Sequence, residues 1–442
     1  MKTLTALKIL GALKIFAALA VIAAFLVPCF AFAAAPAADA QAETGVFSLG
    51  RCISMALESQ PDLKIARSNL NISRNSLTKT ISSLFPQAKA SASYSVWQDN
   101  LSASAADDYS AKISLTQNIW DFGKTIDSLR LDVEDRNSGD LFLQDKIREI
   151  ILSVTQQYYE YLKTKRLAEM DSESLRQSEE HLSQAKDFYQ AGIKSRIDVT
   201  KAEVQKANDR LSLISAVNKL KIAKLKLGNA IGMKQADFEV ENTVDTTAFE
   251  IGLEYCLERA FRSRPDVLEM ESSIRSARIN LSSSVRRMFL EDGSGIQAKA
   301  EYDFHPEGSS WNAGVGISIP LFTGFSNISG LNTARENLSI ALERKKSLEL
   351  SVRLEVEQAY LTMQEKKESI DAAAEGLRNA EENFSLAQGR YLSGIGSMIE
   401  LADAQTTLTG AKTNHINSLY DYAESVASLR KSAGLLDAFY IP

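Results

Sequence analysis

The sequence predicts a mostly α-helical protein with a small β part, in which a helix–β-hairpin–long α-hairpin unit occurs twice. Three observations predict this fold. Short sequence patterns recur 202 to 204 residues apart along the chain. Apolar residues repeat every seven positions through two long stretches, and four shorter stretches alternate apolar and polar side chains. Repeats of seven are typical of packed helices, and strict alternation is typical of strands.

The composition limits the classes of function. Charged residues are 24% and hydrophobic residues 45% of the chain, which is too polar for a protein made of many membrane helices. The net charge of −6 provides no basic surface, so we expect no nucleic-acid partner. His181, His305 and His415 have no acidic or cysteine partners at ligand spacing. With no nucleophile motif or phosphate loop either, we expect no enzyme, no cofactor and no structural metal.

Residues 1–33 are interpreted as a cleaved secretory signal peptide. Lys2, Lys8 and Lys14 flank the start of an apolar run that extends to about residue 35, and Ala31-Phe32-Ala33 supplies a small–x–small cleavage pattern. The alternative is an uncleaved membrane anchor, because the run is long enough to cross a bilayer. The first interpretation predicts an exported protein.

Two local patterns mark the start of each copy. Gln60-Pro61-Asp62 recurs as Arg264-Pro265-Asp266, and Cys52 and Cys256 hold equivalent places 204 residues apart. Equivalent places in a side-by-side duplication are usually far apart, whereas a disulfide needs Cα atoms within about 7 Å. We therefore expect two buried small residues rather than a disulfide.

Further along the chain the offset between the copies is constant at 202. Tyr189-Gln-Ala-Gly192, for example, matches Tyr391-Leu-Ser-Gly394. A constant offset indicates a long rigid element, because one inserted residue would rotate everything beyond it by about 100°. The two structural repeats are expected to cover residues 34–243 and 244–442.

Each repeat is expected to contain a very long helical hairpin, over residues of about 124–231 and 326–434. The first helix of each hairpin has an apolar residue at every seventh position: Val154, Tyr161, Ala168, Leu175, Leu182 and Tyr189, then Val356, Met363, Ile370, Leu377, Phe384 and Tyr391. The interleaved positions become polar, which indicates either a lumen-facing surface or the solvated face of an ordinary coiled coil. Gly192 and Gly394 are expected to end these helices. The predicted N-caps of the return helices, each with an acidic residue three positions on, are Ser195 with Asp198 and Ser397 with Glu400.

Four β-strands are predicted, as hairpins over residues of about 87–120 and 295–322. Each strand alternates over about ten residues, the length of a tilted transmembrane strand with lipid on one face and water on the other. The aromatic residues at the loop-side ends, where a barrel girdle belongs, are Trp97, Tyr109, Phe304 and Trp311. The alternative is two water-exposed hairpins packed on the helices.

Four strands are too few to cross a membrane alone. Every backbone polar group in a bilayer needs a partner, so the sheet must close, and the smallest usual barrel has about eight strands. Several chains must then share one barrel. The residues themselves do not fix the number of chains.

This duplicated plan resembles the TolC-type outer-membrane efflux and secretion channels. Ile119-Trp-Asp-Phe-Gly123 and Pro320-Leu-Phe-Thr-Gly324 are similar to the family's strand-to-helix corner, and residues 189–205 and 391–405 to its periplasmic helix turns. The resemblance implies a homotrimer with a trimeric α-helical tunnel and a shared twelve-stranded transmembrane β-barrel. It also implies an outer-membrane location with a long periplasmic extension. The implied partners are outer-membrane lipid, a periplasmic adaptor protein and an inner-membrane transporter.

The resemblance carries over one site, a periplasmic aperture. Glu400 and Asp403 hold the places of two acidic residues that ring the closed tunnel end in the family's type member. Crowded carboxylates favour cations, so divalent ions are expected to block there; the alternative is a capping carboxylate and a solvated surface charge. The type member's latching arginine falls at Gly396 here. The equivalent place in the other copy is assigned to Arg196, near Asp198, so a rearranged charge pairing is expected.

The expected function is a passive exit duct, an outer-membrane channel-tunnel subunit of a tripartite efflux or type I secretion system. The helix-turn tips expected to contact the adaptor are Gly192, Ser195, Gly394 and Ser397. The alternative is a periplasmic coiled-coil adaptor or scaffold without a pore, which shares the export signal and the long helical hairpin. The amphipathic strands favour the channel, because an adaptor needs no apolar band facing outward.

Overall fold

A computed structural model describes residues 46–98, 105–233, 238–242, 244, 249–288, 294–305, 308–320 and 324–436. The expected signal peptide lies outside these residues. The helices are α1 (Leu49–Ser59), α2 (Pro61–Ser82), α3 (Lys124–Gln190), α4 (Arg196–Ala230), α5 (Leu253–Ser263), α6 (Pro265–Arg287), α7 (Ser326–Leu392) and α8 (Met398–Ser432). The strands are β1 (Val46–Phe47), β2 (Gln87–Gln98), β3 (Ala105–Trp120), β4 (Glu239–Val240), β5 (Gly295–His305) and β6 (Gly308–Ser318).

The order of elements confirms the predicted duplicated fold. Two shorter helices, a β-hairpin, a very long helix and a return helix follow one another in each half. The long helices α3 and α7 have 67 residues each, about 100 Å at about 1.5 Å per residue. Among the described residues, no helix combines the length and the apolar character needed to cross a bilayer.

The predicted seven-residue repeat explains most of the packing of α3 and α7. Val154, Leu182, Val356 and Tyr391, for example, are buried along it. Tyr189, at the far end of α3, is the exception and is 44% exposed. The apolar seam therefore continues to the turn in the second copy and fades before it in the first.

The other helices pack beside the long ones at two levels. Near the strands, the packing order is α2, α3, α6, α7. Away from the strands it is α4, α3, α8, α7, with α4 packed along α3 and α7 along α8. The outermost helices of one chain are thus α2 or α4 on one side and α7 on the other.

Strands β2, β3, β5 and β6 form one antiparallel sheet in that order, so β3 and β5 join the two hairpins. One row of aligned residues on one face is Ala90, Ile113, Tyr302 and Trp311. A neighbouring row on the other face is Ser91, Lys112, Asp303 and Ser310. The predicted apolar and polar faces therefore extend across a single sheet, and the hairpins are not two separate units packed on the helices.

The middle of the molecule is built from the short elements. β1 pairs with β4 in parallel, and Phe47 stacks on Phe238 with ring centroids 5.9 Å apart. Tyr158 of α3 is fully buried in the same cluster. Cys52 and Cys256 are free thiols, buried in two different clusters as their equivalent places predict.

The same joint occurs in both copies where a return helix ends. Ser59 Oγ donates to the carbonyl of Ile231 at 2.7 Å, and Ser263 Oγ donates to that of Gly434 at 3.2 Å. Gly232 has a φ of 77°, and a Cβ there would clash with Ser59. Only glycine fits such a left-handed turn against a neighbouring hydroxyl without strain. The duplication is therefore visible in contacts as well as in sequence.

Candidate functional site

Two short turns join the long helices to the return helices at the end of the molecule away from the sheet. Gly192 and Gly394 adopt φ of 71° and 81° and end α3 and α7, as predicted. The next residue of each turn donates its backbone N–H to the last turn of the helix, at 2.9 Å from Ile193 and 3.0 Å from Ile395. The two turns share a backbone conformation, so the differences between them lie in their side chains.

The capping interactions differ between the copies. Asp198 Oδ2 accepts hydrogen bonds from the backbone N–H of Ser195 at 3.1 Å and from its hydroxyl at 3.0 Å. In the second turn, Ser397 Oγ accepts from the backbone N–H of Glu400 at 3.2 Å. The carboxylate of Glu400 instead accepts from Arg390 Nε at 2.9 Å. Glu400 is therefore bound to α7 by an arginine and does not complete the expected capping box.

Three of the four residues assigned to the aperture are exposed in a single chain. The side chain of Glu400 is 43% exposed, and Asp403 is exposed three residues further along α8, on the same face. Arg196 is exposed, whereas Asp198 is half-buried and its Oδ1 accepts from the backbone N–H of Met398 at 3.4 Å. Within the described residues, no group of three or more histidine, cysteine or acidic side chains could hold a metal ion.

Lys194 is the basic side chain that binds the second turn, and the sequence interpretation does not include it. Its Nζ donates to the carbonyls of Gly394 at 3.0 Å and Gly396 at 2.6 Å, and lies 5.5 Å from the ring centre of Tyr391. The assignment of Arg196 to the place equivalent to Gly396 is corrected here, because the offset of 202 aligns Gly396 with Lys194. Strict use of that offset would have identified the residue.

A small apolar core lies beneath the two turns and draws on all four long helices. Its buried members are Leu182, Ala185, Ala202, Tyr391, Met398 and Leu401. Four isoleucines lie outside this core and are between 50% and 75% exposed. This tip rim consists of Ile193, Ile197, Ile395 and Ile399. The turns therefore form one packed unit with an apolar outer surface.

The predicted girdle residues lie at the loop end of the sheet. Trp311 is 75% exposed, Phe304 is exposed and Tyr109 is half-buried. Tyr302, which the interpretation does not include, pairs with Trp311 across the strands, and its ring lies 4.5 Å from that of Phe304. The side chain of Trp97 lies outside the described part. Aromatic side chains thus cluster at this end on the apolar face.

A second aromatic group lies at the helix end of the sheet. Phe85, Trp120 and Phe325 are exposed where α2 meets β2, where β3 ends and where α7 begins. Barrels carry aromatic residues at both membrane interfaces. The sequence carries the signal for this second group, since Trp120 belongs to the strand-to-helix corner.

The opposite face of the sheet carries an ion-pair ladder. Lys112 Nζ lies 3.6 Å from Glu301 and 3.3 Å from Asp303, and Lys299 Nζ lies 2.5 Å from Glu301. Gly314 is aligned with Lys299 on this face and adds no side chain to it. The sheet therefore has one charged face and one apolar face, and the apolar face is exposed in a single chain.

Both layers of the molecule have open edges. Within the described residues, β2 and β6 each pair on one side only. The outer helices carry exposed apolar stripes, namely Val204, Leu211, Ile214 and Leu225 on α4, and Leu350, Leu354 and Leu361 on α7. One chain thus presents an unpaired strand and an apolar helix face on each side.

Comparisons with known proteins agree with this architecture. A family model described as outer membrane efflux protein matches residues 52–233 and 257–435. The outer membrane protein TolC of Vibrio cholerae is 22% identical over 408 residues, which are 88% of this chain and 91% of that protein. Nodulation protein T of Rhizobium leguminosarum bv. trifolii is 21% identical over 300 residues, 65% of this chain and 62% of that protein, less than two thirds of its length. The solved Campylobacter jejuni CmeC outer membrane channel has a TM-score of 0.76 at 18% identity, covering 87% of this chain and 85% of that chain.

Proposed function

Because the chain belongs to the outer membrane efflux protein family, we propose that it is the channel-tunnel subunit of a tripartite efflux or type I secretion system. Three copies form a homotrimer, with a twelve-stranded barrel in the outer membrane and a helical tunnel in the periplasm. Substrates delivered by an inner-membrane transporter leave passively through it. The observation that carries the proposal is the single sheet with one exposed apolar face and two open edges.

The open edges support closure by copies of the same chain. An exposed edge strand pairs readily with another strand, and in lipid an unpaired edge is not tolerated. Pairing β6 of one chain with β2 of the next closes the sheet, and three chains of four strands supply twelve. The same rotation places α7 of one chain beside α2 and α4 of the next, which covers the apolar stripes of α4 and α7. Both layers therefore close in one symmetric step.

The dimensions of the sheet support a membrane span. From Tyr109 to Trp120 the strand β3 rises through eleven residues, about 36 Å at about 3.3 Å per residue. A tilt of about 40° reduces this to roughly 28 Å, close to the hydrocarbon thickness of a bilayer. The two aromatic groups then lie at the two interfaces, and the charged face lines a watery lumen.

The turns are the surface that we assign to the adaptor. The tip rim exposes four isoleucines next to Gly192, Ser195, Gly394 and Ser397, at the end farthest from the sheet. Exposed apolar groups surrounded by polar residues are typical of protein interaction sites. The family match gives no support to the poreless adaptor. The sheet also disfavours it, because a scaffold of that kind needs neither the apolar band nor the open strand edges.

Planar bilayer recordings test the proposal directly. Purified protein should insert from detergent and give cation-selective steps that a divalent cation blocks, because trimer formation brings six carboxylates from Glu400 and Asp403 to one neck. Glu400→Ala/Asp403→Ala should lose the block and keep the conductance. The matched control is Glu368→Ala/Asp371→Ala, an exposed carboxylate pair with the same spacing on α7.

Each outcome separates the parts of the proposal. Steps without divalent block keep the channel and refute the aperture assignment. Loss of block in the control pair as well as in the aperture pair also refutes it. Folded protein that gives no steps at any voltage refutes the channel and leaves the poreless scaffold.

A further inference from the structure

A small void lies between the helices just above the two turns, lined by both polar and apolar side chains. It is lined by His181 and Ser178 of α3, Gln205 of α4, and Met398, Leu401 and Gln405 of α8, among others. The ring of His181 also lies 6.2 Å from the ring of Phe384 on α7. The volume is about 10 Å³, enough for about one water molecule. His181 therefore lies at the seam between the α3–α4 hairpin and the α7–α8 hairpin.

The side chain of His181 is buried, and Gln184 is the polar side chain of its own helix that lies next to it. His181 is 5% exposed, and neither ring nitrogen has a partner among the described residues. In the same void Gln405 Oε1 also has none, because its amide nitrogen donates away, to Gln177 Oε1 at 3.1 Å. Burial lowers the pKa of His181 below its ordinary value, and nearby Gln184 and the charge of Glu180 oppose this only in part. Burial thus favours the neutral form of the imidazole.

Among the described residues, the charge near the ring stabilises an imidazolium too weakly to offset the cost of its burial. On α3 the nearest charge is Glu180, whose carboxylate is engaged in an exposed ion pair. On α4 the lining residues are Ala202 and Gln205, and the amide of Gln205 donates at 3.0 Å to Asp209, whose carboxylate also interacts with Ser178. Burial raises the pKa of Asp209. From α8 and α7 the ring meets Gln405 and Phe384, which are neutral.

We propose that His181 is a proton sensor that loosens the seam between the two helical hairpins when the periplasm becomes acidic. The proposal rests on the proposed function, because a looser seam at the end of the tunnel widens the exit duct. A protonated ring at this position is a buried charge without an anion, which is strongly unfavourable. Separation of the hairpins lets water reach the ring and removes that penalty.

The direction of the pH dependence follows from the lowered pKa. A hydrated imidazole has a pKa of about 6.5. The packed seam is therefore fully stable above about pH 6.5 and loses stability as the pH falls below that value, until the pKa of the packed state is passed. One histidine takes up at most one proton, so opening increases by at most about tenfold per pH unit for each chain.

The test compares the full chain at about pH 7.5 and pH 5.5, on either side of the pKa of a hydrated imidazole, in planar bilayers and by amide hydrogen exchange in detergent. Wild-type protein should show longer open times at the lower pH. It should also show faster exchange over residues 175–190 and 398–408, after correction for intrinsic rates. His181→Gln should abolish both responses. His415→Gln is the matched control, since His415 is half-buried on α8 away from the void. Asp209→Asn tests the neighbouring half-buried carboxyl group, whose pKa burial raises.

The outcomes either support or overturn the sensor. A pH response that persists in His181→Gln overturns the proposal. If that response is also lost in Asp209→Asn, Asp209 is the titrating group instead. If the protein conducts at no pH, the proposed function fails, and hydrogen exchange alone decides: exchange that depends on pH only when His181 is present supports the sensor, and unchanged exchange overturns it. His181→Phe replaces His181→Gln if circular dichroism shows that the glutamine variant is unfolded.

Discussion

Removing the Lys194 ammonium should weaken the contact between the two turns. Lys194→Met keeps the apolar stem and removes the ammonium that donates to Gly394 and Gly396. Hydrogen bonds from a charged donor contribute about 1.5 to 3 kcal/mol each, and the contact with the Tyr391 ring about 0.5 to 1 kcal/mol. These contributions set the upper limit of the effect.

The net change is smaller because Lys194 is only half-buried. Water can satisfy the ammonium and the exposed carbonyl of Gly394 once the contact breaks, so about 1 to 2 kcal/mol should remain. An energy of about 1 to 2 kcal/mol corresponds to roughly a 5- to 30-fold shift of the equilibrium towards separated turns. The Asp198 contact with the backbone of Met398 and the apolar core stay in place, so the fold should be retained.

The assay is the frequency of opening in planar bilayers, with amide hydrogen exchange over residues 189–199 as a readout that needs no pore. Lys201→Met removes a cation from an exposed position on α4 and serves as the control. Arg196→Met compares the residue first assigned to this role. Equal opening in wild-type and Lys194→Met protein, or an equal increase in Lys201→Met, would refute the reasoning.

Two further predictions concern the middle of the molecule and the sheet. Arg264 is 8% exposed and pairs with Asp266 and Glu355 at 2.9 Å each, so Arg264→Ala should lower the free energy of unfolding by about 2 to 3 kcal/mol in denaturant titrations. Burial raises the pKa of Asp266, but the interaction with Arg264 outweighs burial and leaves that pKa below 3.8. The stability that this pair contributes is present above pH 3.8 and is lost as the pH falls through the lowered pKa. This pH-dependent part of the stability should disappear in Arg264→Ala. Val315→Lys places a charge on the apolar face, which should cost about 2 to 4 kcal/mol in lipid and reduce the amount of membrane-inserted protein. The control Asn312→Lys lies on the polar face and should be tolerated. Equal insertion of the two variants would contradict the assigned faces.

The long elements could be predicted because their signals are local and repeated. A residue such as Val356 appears with its heptad neighbours, and Gly192 and Gly394 mark the ends of the helices by a conformation that other residues rarely adopt. Alternation in the strands needs no knowledge of distant segments either. The duplication reinforced each signal, since every element was seen twice.

Pairings between distant segments could not be predicted in the same way. The alignment of Ala111 with Phe304, which joins β3 to β5, brings together residues 193 positions apart, and neither strand specifies it locally. The void around His181 depends on side chains from three helices, so a lone histidine on an otherwise ordinary helix gave no sign of it. The side-chain contacts at the two turns likewise join residues that are far apart in the sequence.

The two turns have diverged in a way that divides their tasks. In the first, Lys194 and Asp198 both reach across to the backbone of the second, so the first turn holds the pair together. In the second, Ser397 Oγ accepts from the backbone N–H of Glu400, and among the described residues the carboxylate of Glu400 pairs with Arg390. Glu400 can therefore exchange Arg390 for a bound cation without uncapping the helix. A complete capping box would have coupled cation binding to fraying of α8, and the proposed acidic neck avoids that coupling.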